Sequence, residues 1–224
     1  MRTILAAACA YLIGSFPTAD VVARVAAGRR NNDRVVDLRE AGTKNPGALN
    51  AAKMLGTKWG LTVLAGDILK GVIGCFAGRR IAGDQGAYAG GIGSVYGHCL
   101  PLWSGFRGGK GVATSAGTSI VCFPAYMPID LALAGASAWL TKGQAGTATY
   151  VSSAMFTAAA SHWFARGRGN LWGPKATIWL PLYAASTSAI IAYKFLSAPP
   201  LPEAATGDWA FDSDSAGTET AVAS

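Results

Sequence analysis

The sequence predicts an all-α polytopic membrane protein, with about seven short transmembrane helices in a compact bundle and glycine-rich cytoplasmic loops. Of the 224 residues, 51% are hydrophobic and only 14% are charged, whereas soluble domains carry roughly 25% charged residues. The apolar residues form continuous blocks instead of a 3.6- or 2.0-residue periodicity, which favours packed membrane helices over a soluble core. Glycine and alanine are frequent in these blocks, and the whole chain has 29 glycines, as expected where membrane helices pack closely.

The apolar blocks give the predicted spans. They cover residues 3–25, 59–78, 86–103, 111–124, 125–141, 147–165 and 176–196. The first block resembles a signal peptide, but further membrane-length blocks follow it, which favours a retained helix. Because a span needs about 20 helical residues, the pair split by Pro124 and Pro128 is marginal, and an even number of spans stays open.

Charge is distributed unevenly along the chain. Five of the twelve acidic residues follow residue 197, where the polar composition predicts a disordered acidic tail over 197–224 and leaves 1–196 as the transmembrane domain. Loops one, three and five and the C-terminal segment would share one side of the membrane, and together they carry twelve Lys and Arg residues. The N-terminus and the other loops carry six. The positive-inside rule therefore places the N-terminus outside the cell membrane and the C-terminus in the cytoplasm. A basic excess on membrane loops favours phosphorylated substrates or lipid headgroups, and nucleic acid is not expected.

The most informative segment is 97–114, GHCLPLWSGFRGGKGVAT, which places two cations among five glycines directly before an apolar helix. Glycines let the backbone approach a phosphate, and the N–H groups of a helix start point at it. Lys110 would supply a full charge. A nucleotide-binding P-loop is excluded by the Gly105 to Gly109 spacing and by Gly111 at the hydroxyl position. The alternative is a glycine-rich turn with cationic anchors.

A second cluster of Gly, Thr, Asn and Lys occupies residues 41–53, AGTKNPGALNAAK, again before a helix. If both segments face the cytoplasm, they can converge on one anionic ligand. The alternative is an Asn-Pro-Gly turn with Asn50 as a helix cap. In the second span, Asp67 and Lys70 share a helix face and can pair. Charged side chains at membrane depth normally face the protein interior. The pair is therefore either functional or a structural contact that holds helices together.

These segments resemble the acyl-phosphate-dependent glycerol-3-phosphate acyltransferases of bacterial membranes. The family's first signature resembles G-S-G-N-x-G-A-T-N-x-x-R, and the matching positions are Gly42, Asn45, Gly47, Ala48 and Asn50. Thr43, Lys44, Leu49 and Lys53 depart from it. The second signature resembles G-H-x-F-P-x-F-x-x-F-[KR]-G-G-K-G-V-A-T, and the matching positions are Gly97, His98, Pro101, Phe106, Arg107, Gly108, Gly109, Lys110, Gly111, Val112, Ala113 and Thr114.

The resemblance implies transfer of a fatty acyl group from acyl phosphate to the 1-hydroxyl of glycerol 3-phosphate, giving lysophosphatidate and phosphate, the first step of phospholipid synthesis. The catalytic residues that it implies are His98, Lys110, Thr43 and Asn45. The implied substrate-binding residues are Gly42, Gly47, Asn50, Lys53, Arg107, Gly108, Gly109, Gly111, Thr114 and Ser152. An acyl phosphate is already activated, so no Ser-His-Asp triad is required.

More specific roles follow from this assignment. Thr43, Asn45 and Gly47 would bind the acyl-phosphate group, and Lys53, Lys110 and Ser152 would bind glycerol 3-phosphate. His98 would act as a general base or fix the loop, and we favour the second role. No metal and no cofactor are expected, and the expected partners are membrane lipid and the enzyme that supplies acyl phosphate.

One expected signature is missing. The family's last helix usually runs into a His/Arg-Glu-Asn-x-x-R-L segment, whereas here SAPPLPEAA follows Leu196, so only Lys194 could replace it. A catalytically impaired paralogue or scaffold is therefore one alternative. A small transporter, with Asp67 and Lys70 as coupling charges, is another. It would predict internal repeats, and neither glycine-rich segment has a second copy in the sequence.

Overall fold

The computed structural model describes residues 1–29, 34–140 and 145–198, and all regular secondary structure in these ranges is helical. The helices are α1 Arg2–Gly14, α2 Thr18–Arg29, α3 Ala48–Leu55, α4 Thr57–Cys99, α5 Val112–Cys122, α6 Met127–Leu140, α7 Ala145–Ala165 and α8 Trp179–Leu196, with a 3-10 turn at Leu102–Ser104. Within the described ranges, the stretches Arg2–Arg29 and Thr57–Ser104 are long and apolar enough to cross a membrane. The predicted acidic tail lies outside the described residues from residue 199 onward.

Helix α4 is a hairpin of two helical arms, which correspond to the second and third predicted spans. Ala82 and Gly83 interrupt it with non-helical backbone angles, and the φ of Gly83 is +62°, a conformation that favours glycine. The arms then pack backbone against backbone. A Cβ at Gly78 would strike Gly86, and one at Gly90 would strike the carbonyl of Gly74.

The first apolar block is broken, although the sequence predicted a single helix there. The chain leaves α1 after Gly14 and enters α2 at Thr18. Pro17 has no N–H to donate and biases Phe16 away from helical geometry, which accounts for the break. Helix α1 packs on the second arm of α4, where a Cβ at Gly14 would strike the backbone of Ser94.

Helix α2 continues alongside the first arm of α4. Its buried face joins α3 and the start of α4 in a small apolar cluster that includes Ala19, Val22, Leu38, Leu55 and Val63. The four helices of the second half complete the bundle. An aromatic-rich core binds them to α4, and its large members include Tyr88, Phe123, Phe156 and Tyr183. The marginal pair of predicted spans forms two helices, α5 with 11 residues and α6 with 14, that meet near Pro124. Both are shorter than the roughly 20 residues that a span needs, so the number of spans stays open.

The two ends of the bundle differ in character. At one end lies the tip of the α4 hairpin, where Asp84 pairs with Arg79 at 3.2 Å and accepts a hydrogen bond from the Lys175 backbone at 3.0 Å. The other end carries two loops, residues 34–47 (the first loop) and residues 100–111 (the third loop), which hydrogen-bond to each other. The two loops therefore meet through Arg39, while convergence of the two clusters on one anionic ligand stays a prediction.

We expect Gly90→Ala to destabilise the protein, because its methyl group would strike the Gly74 carbonyl inside the α4 hairpin. Overpacking of this kind costs about 1–3 kcal/mol. Thermal unfolding in detergent micelles measures the effect. Gly135→Ala is the matched control, since a Cβ at that position meets no atom within 4 Å. Equal unfolding temperatures for the two variants would contradict the hairpin packing.

Candidate active site

Asn50 holds the first loop in shape. It lies inside α3, so it is not the helix cap considered as an alternative, and it is fully buried. Its Nδ2 donates to the carbonyls of Leu38 and Ala41 at 2.9 and 3.0 Å, and its Oδ1 accepts from the Thr43 backbone at 2.9 Å. Its amide therefore fixes the loop that carries Thr43 and Asn45, while substrate binding by Asn50 stays a prediction.

The third loop depends on glycine for close approach. Gly108 packs against the His98 carbonyl, and a Cβ at Gly109 would strike the His98 imidazole. Gly111 has a φ of +89° and is the N-cap of α5, so the loop enters the helix through a left-handed residue. A side chain at any of these three positions would push the loop away from the end of α4.

Arg39 connects α2 with the third loop. Its guanidinium makes a two-point contact with the Asp20 carboxylate at 2.6 and 3.1 Å. It also donates to the Ser104 hydroxyl at 3.0 Å and to the Arg107 carbonyl at 2.7 Å. Partial burial of the Arg39 guanidinium lowers its pKa. The hydrogen bond and the negative charge of Asp20 more than offset this effect, so the pKa of Arg39 is raised. Bidentate pairs of this type are the strongest class of side-chain hydrogen bond.

A second ion pair joins the loops at the surface. Arg107 contacts Glu40 at 2.6 Å, but both side chains are more than 60% exposed. Exposed pairs contribute little, typically 0–1 kcal/mol. Arg39, whose side chain is 13% exposed, is therefore the main polar connection between the two loops.

A small pocket lies beneath these loops, with a cavity volume of about 20 Å³. The residues that line it are Gly14, Ser15, Phe16, Pro17, Thr18, Ala19, Arg39, Pro46, Asp67, Lys70, His98, Pro101, Ser104, Gly108 and Gly109. Three separate parts of the chain meet there: the break between α1 and α2, the two loops, and both arms of α4. This combination is typical of a ligand site, since broken helices at membrane depth occur where they line a cavity.

Three ionisable side chains form the inner wall of the pocket. Lys70 Nζ lies 2.9 Å from Asp67 Oδ1, as the predicted pair requires, and donates to the Phe16 carbonyl at 3.3 Å. His98 Nδ1 lies 3.5 Å from the same Asp67 oxygen, within ion-pair distance but without hydrogen-bond alignment. All three residues are buried. Within the described ranges, no group of three or more His, Cys, Asp or Glu is placed to hold a metal ion.

Several predicted site residues lie outside the pocket lining. Lys110 is half-buried, and its Nζ lies 4.3 Å from the centre of the Phe195 ring. Its partial burial lowers its pKa, because the charged form is poorly solvated there. Ser152 donates to Asp130 Oδ1 at 2.8 Å on α6. Lys53 is exposed on α3. The predicted binding roles of these residues stay predictions.

The remaining predicted residues belong to the loops or border them. Thr43, Asn45 and Gly47 lie in the first loop at intermediate exposure, and Gly42 is exposed in a left-handed turn with a φ of +59°. Thr114 is fully buried in the first turn of α5.

The site also includes residues that the sequence reasoning missed. Ser15, Thr18, Arg39 and Ser104 line the pocket, and Asp20 pairs with Arg39. The Gly-Ser-Phe-Pro-Thr run inside an apolar block was a readable signal, because glycine and proline mark helix breaks. The pairing of Arg39 with Asp20 had no such signal, because it depends on the path of the loop between them.

Comparison with known proteins identifies the family. The glycerol-3-phosphate acyltransferase family model matches residues 4–198. The chain belongs to the glycerol-3-phosphate acyltransferase family. Relatives of that name include one from Thermoanaerobacter pseudethanolicus, 39% identical over 142 residues, 63% of this chain and 68% of the relative. One from Geobacter sulfurreducens is 34% identical over 162 residues, 72% of this chain and 76% of the relative.

Solved structures agree with this assignment. The crystal structure of the integral membrane glycerol 3-phosphate acyltransferase PlsY, in its glycerol 3-phosphate form, superposes with a TM-score of 0.69 at 28% identity and covers 87% of this chain and 88% of that one. The lysophosphatidic acid form of PlsY gives a TM-score of 0.65 at 26% identity, with the same coverage. The predicted fold class is therefore confirmed, and the acyltransferase family member described here is an integral membrane protein.

We expect Arg39→Lys to loosen the third loop, because lysine keeps the charge but loses the two-point contact with Asp20. Hydrogen–deuterium exchange of residues 100–111 should increase, while exchange in the α4 hairpin stays unchanged. Arg80→Lys, an exposed position near the hairpin tip, is the control. Equal exchange in the third loop of both variants would contradict the connecting role of Arg39.

Proposed function

We propose that this protein transfers a fatty acyl group from acyl phosphate to the 1-hydroxyl of glycerol 3-phosphate, releasing lysophosphatidate and inorganic phosphate. Family membership supports the acyltransferase reaction, and PlsY structures with glycerol 3-phosphate and lysophosphatidic acid support this acceptor and product. The observation that carries the proposal is the convergence of the two loops over one pocket, joined by Arg39. Both proposed substrates carry a phosphate, and glycine-rich backbone next to cations suits that group.

The choice of acyl phosphate as donor fits the chemistry of the site. The acceptor hydroxyl attacks the acyl carbon, the bond from that carbon to the phosphate oxygen breaks, and phosphate leaves with the electron pair. The hydroxyl proton passes to a phosphate oxygen. Phosphate is a good leaving group, so the protein contributes mainly position and charge stabilisation. The first loop, with Thr43, Asn45 and Gly47, would bind the donor phosphate, and Lys53, Lys110 and Ser152 would bind glycerol 3-phosphate.

In this proposal, His98 holds the third loop in position and is not the general base. It is buried, its imidazole lies against Gly109, and its Nδ1 faces Asp67. An imidazole held between Gly109 and Asp67 supports the third loop from below.

The proposed orientation places the two loops in the cytoplasm and the N-terminus outside. The loop end of the bundle carries Arg39, Lys44, Lys53, Arg107 and Lys110, in agreement with the positive-inside rule. This position lets soluble glycerol 3-phosphate enter from the cytoplasm. It also exposes the loops to the enzyme that supplies acyl phosphate.

Incubation of the purified protein with radiolabelled glycerol 3-phosphate and palmitoyl phosphate tests the reaction. We expect labelled lysophosphatidate with palmitoyl phosphate and none with an acyl thioester as donor. Product from the thioester alone would overturn the proposed donor. Flux of glycerol 3-phosphate into vesicles without product would support the transporter, and neither product nor flux would support the impaired paralogue that the missing third signature suggests.

We expect His98→Asn to retain a turnover number within about tenfold of wild type, because asparagine places a nitrogen near the position of Nδ1 beside Asp67. A general base contributes about 10²- to 10⁴-fold. Turnover at saturating substrates, measured across pH, separates the two roles. A loss of more than a hundredfold together with a lost pH limb would establish His98 as a general base.

The orientation is tested with reporter fusions at the C-terminus. We expect a green fluorescent protein fusion to be fluorescent and an alkaline phosphatase fusion to be inactive, since the first folds in the cytoplasm and the second is active only outside it. Reporter fusions after Arg80, near the hairpin tip, should give the opposite pattern. The reverse result at both sites would overturn the proposed topology.

A further inference from the structure

The Lys110 ammonium is held by an aromatic ring instead of a carboxylate. Its Nζ lies 4.3 Å from the centre of the Phe195 ring, and within the described ranges it makes no hydrogen bond or ion pair. Three other cations of the site are each paired with a carboxylate: Arg39 with Asp20, Lys70 with Asp67, and Arg107 with Glu40. A carboxylate cancels the charge of its partner, whereas a ring face attracts a cation and leaves its net charge in place. The charge of Lys110 therefore stays available to an anion.

Phe195 is itself held from two sides. Tyr150 on α7 meets the Phe195 ring edge-on, with the ring centres 6.4 Å apart and an angle of 71° between the planes, which is a favourable geometry for an aromatic pair. Phe195 also packs against a buried apolar cluster that includes Val95 and Ile191. Because the ring is fixed in this way, an ammonium that lies over its face has a defined position.

The third loop meets α8 at the same place. A Cβ at Gly111 would lie 3.1 Å from Ile191 Cγ1, so the residue that follows Lys110 is in close contact with the helix that carries Phe195. Half-burial lowers the pKa of Lys110, and the negative face of the ring acts in the opposite direction because it favours the charged form. The ring can therefore both orient the ammonium and help to keep it charged.

We propose that Phe195 is a positioning residue, whose ring face holds the Lys110 ammonium where it binds glycerol 3-phosphate. This inference rests on the proposed function, because that function gives Lys110 its role. It also gives the end of α8 a task in this chain, which lacks the family's usual third signature there. Phe195 acts through Lys110 and needs no contact with the substrate.

Stepwise fluorination of the Phe195 ring tests the positioning role. Each fluorine atom weakens the negative potential of the ring face and hardly changes the ring's shape, so the packing is kept while the attraction for the ammonium falls. With one, two and three fluorine atoms on the residue at position 195, we expect the KM for glycerol 3-phosphate to rise in steps, to about tenfold with three. We expect kcat to change by less than about twofold, because Lys110 acts in binding.

Substitutions provide an independent check. We expect Phe195→Tyr, which keeps an aromatic face, to retain the KM within about twofold, and Phe195→Leu to raise it about tenfold. Tyr193→Leu is the matched control, since Tyr193 is an exposed aromatic residue on the same helix. A constant KM across the fluorinated series, or equal KM values for the two Phe195 variants, would overturn the positioning role. If Phe195→Leu fails to fold, the fluorinated series decides.

A measurement without substrates separates this inference from the proposed reaction. Reductive methylation with carbon-13 labels the lysines, and an NMR titration then gives the pKa of Lys110, whose resonance is identified by its loss in Lys110→Gln. Since the ring favours the charged ammonium, we expect this pKa to fall along the fluorinated series, and a constant pKa would overturn the contact. If the wild-type protein forms no labelled product, the proposed reaction is wrong, and the titration still decides whether Phe195 holds Lys110.

Discussion

The contact of backbone with backbone at glycine is the constraint on which the rest of the structure depends. At Gly78, Gly86 and Gly90, the two arms of α4 approach so closely that an added side chain would strike the backbone of the opposite arm. Helix α1 meets the second arm in the same way at Gly14. Apolar side chains gain little from contacting each other in lipid, so association relies on close van der Waals packing, which small residues allow. The loop end is therefore built on a rigid base.

The same use of glycine continues into the candidate site, where its purpose changes. Gly108 and Gly109 let the third loop lie directly on His98 and the end of α4. This packing brings the backbone of Gly108 and Gly109 to a pocket that Arg39, Asp67 and Lys70 also line. Rigid packing below and a single strong polar connection above, through Arg39, give a site that is preorganised before substrate arrives. Preorganisation is what the proposed reaction, with its activated donor, would require most from the protein.

Much of this architecture was readable from the sequence. The apolar blocks located the helices, because continuous hydrophobic runs have few other solutions in a membrane protein, and the Gly, Lys and Asn clusters located the loops. The single helix predicted for residues 3–25 was wrong, because hydrophobicity outweighed the local effect of Pro17. The Arg39 to Asp20 pair was not predictable for a different reason. It joins residues 19 positions apart in the sequence, and no local pattern indicates that these two side chains meet.

The lining of the pocket comes entirely from residues between Gly14 and Gly109. Since synthesis proceeds from the N-terminus, the residues of this lining are all made before α6, α7 and α8. The later helices contribute nothing to the lining itself. Substitutions that reshape their lipid-facing surfaces can accumulate over evolution without disturbing the charges and hydroxyls around the pocket.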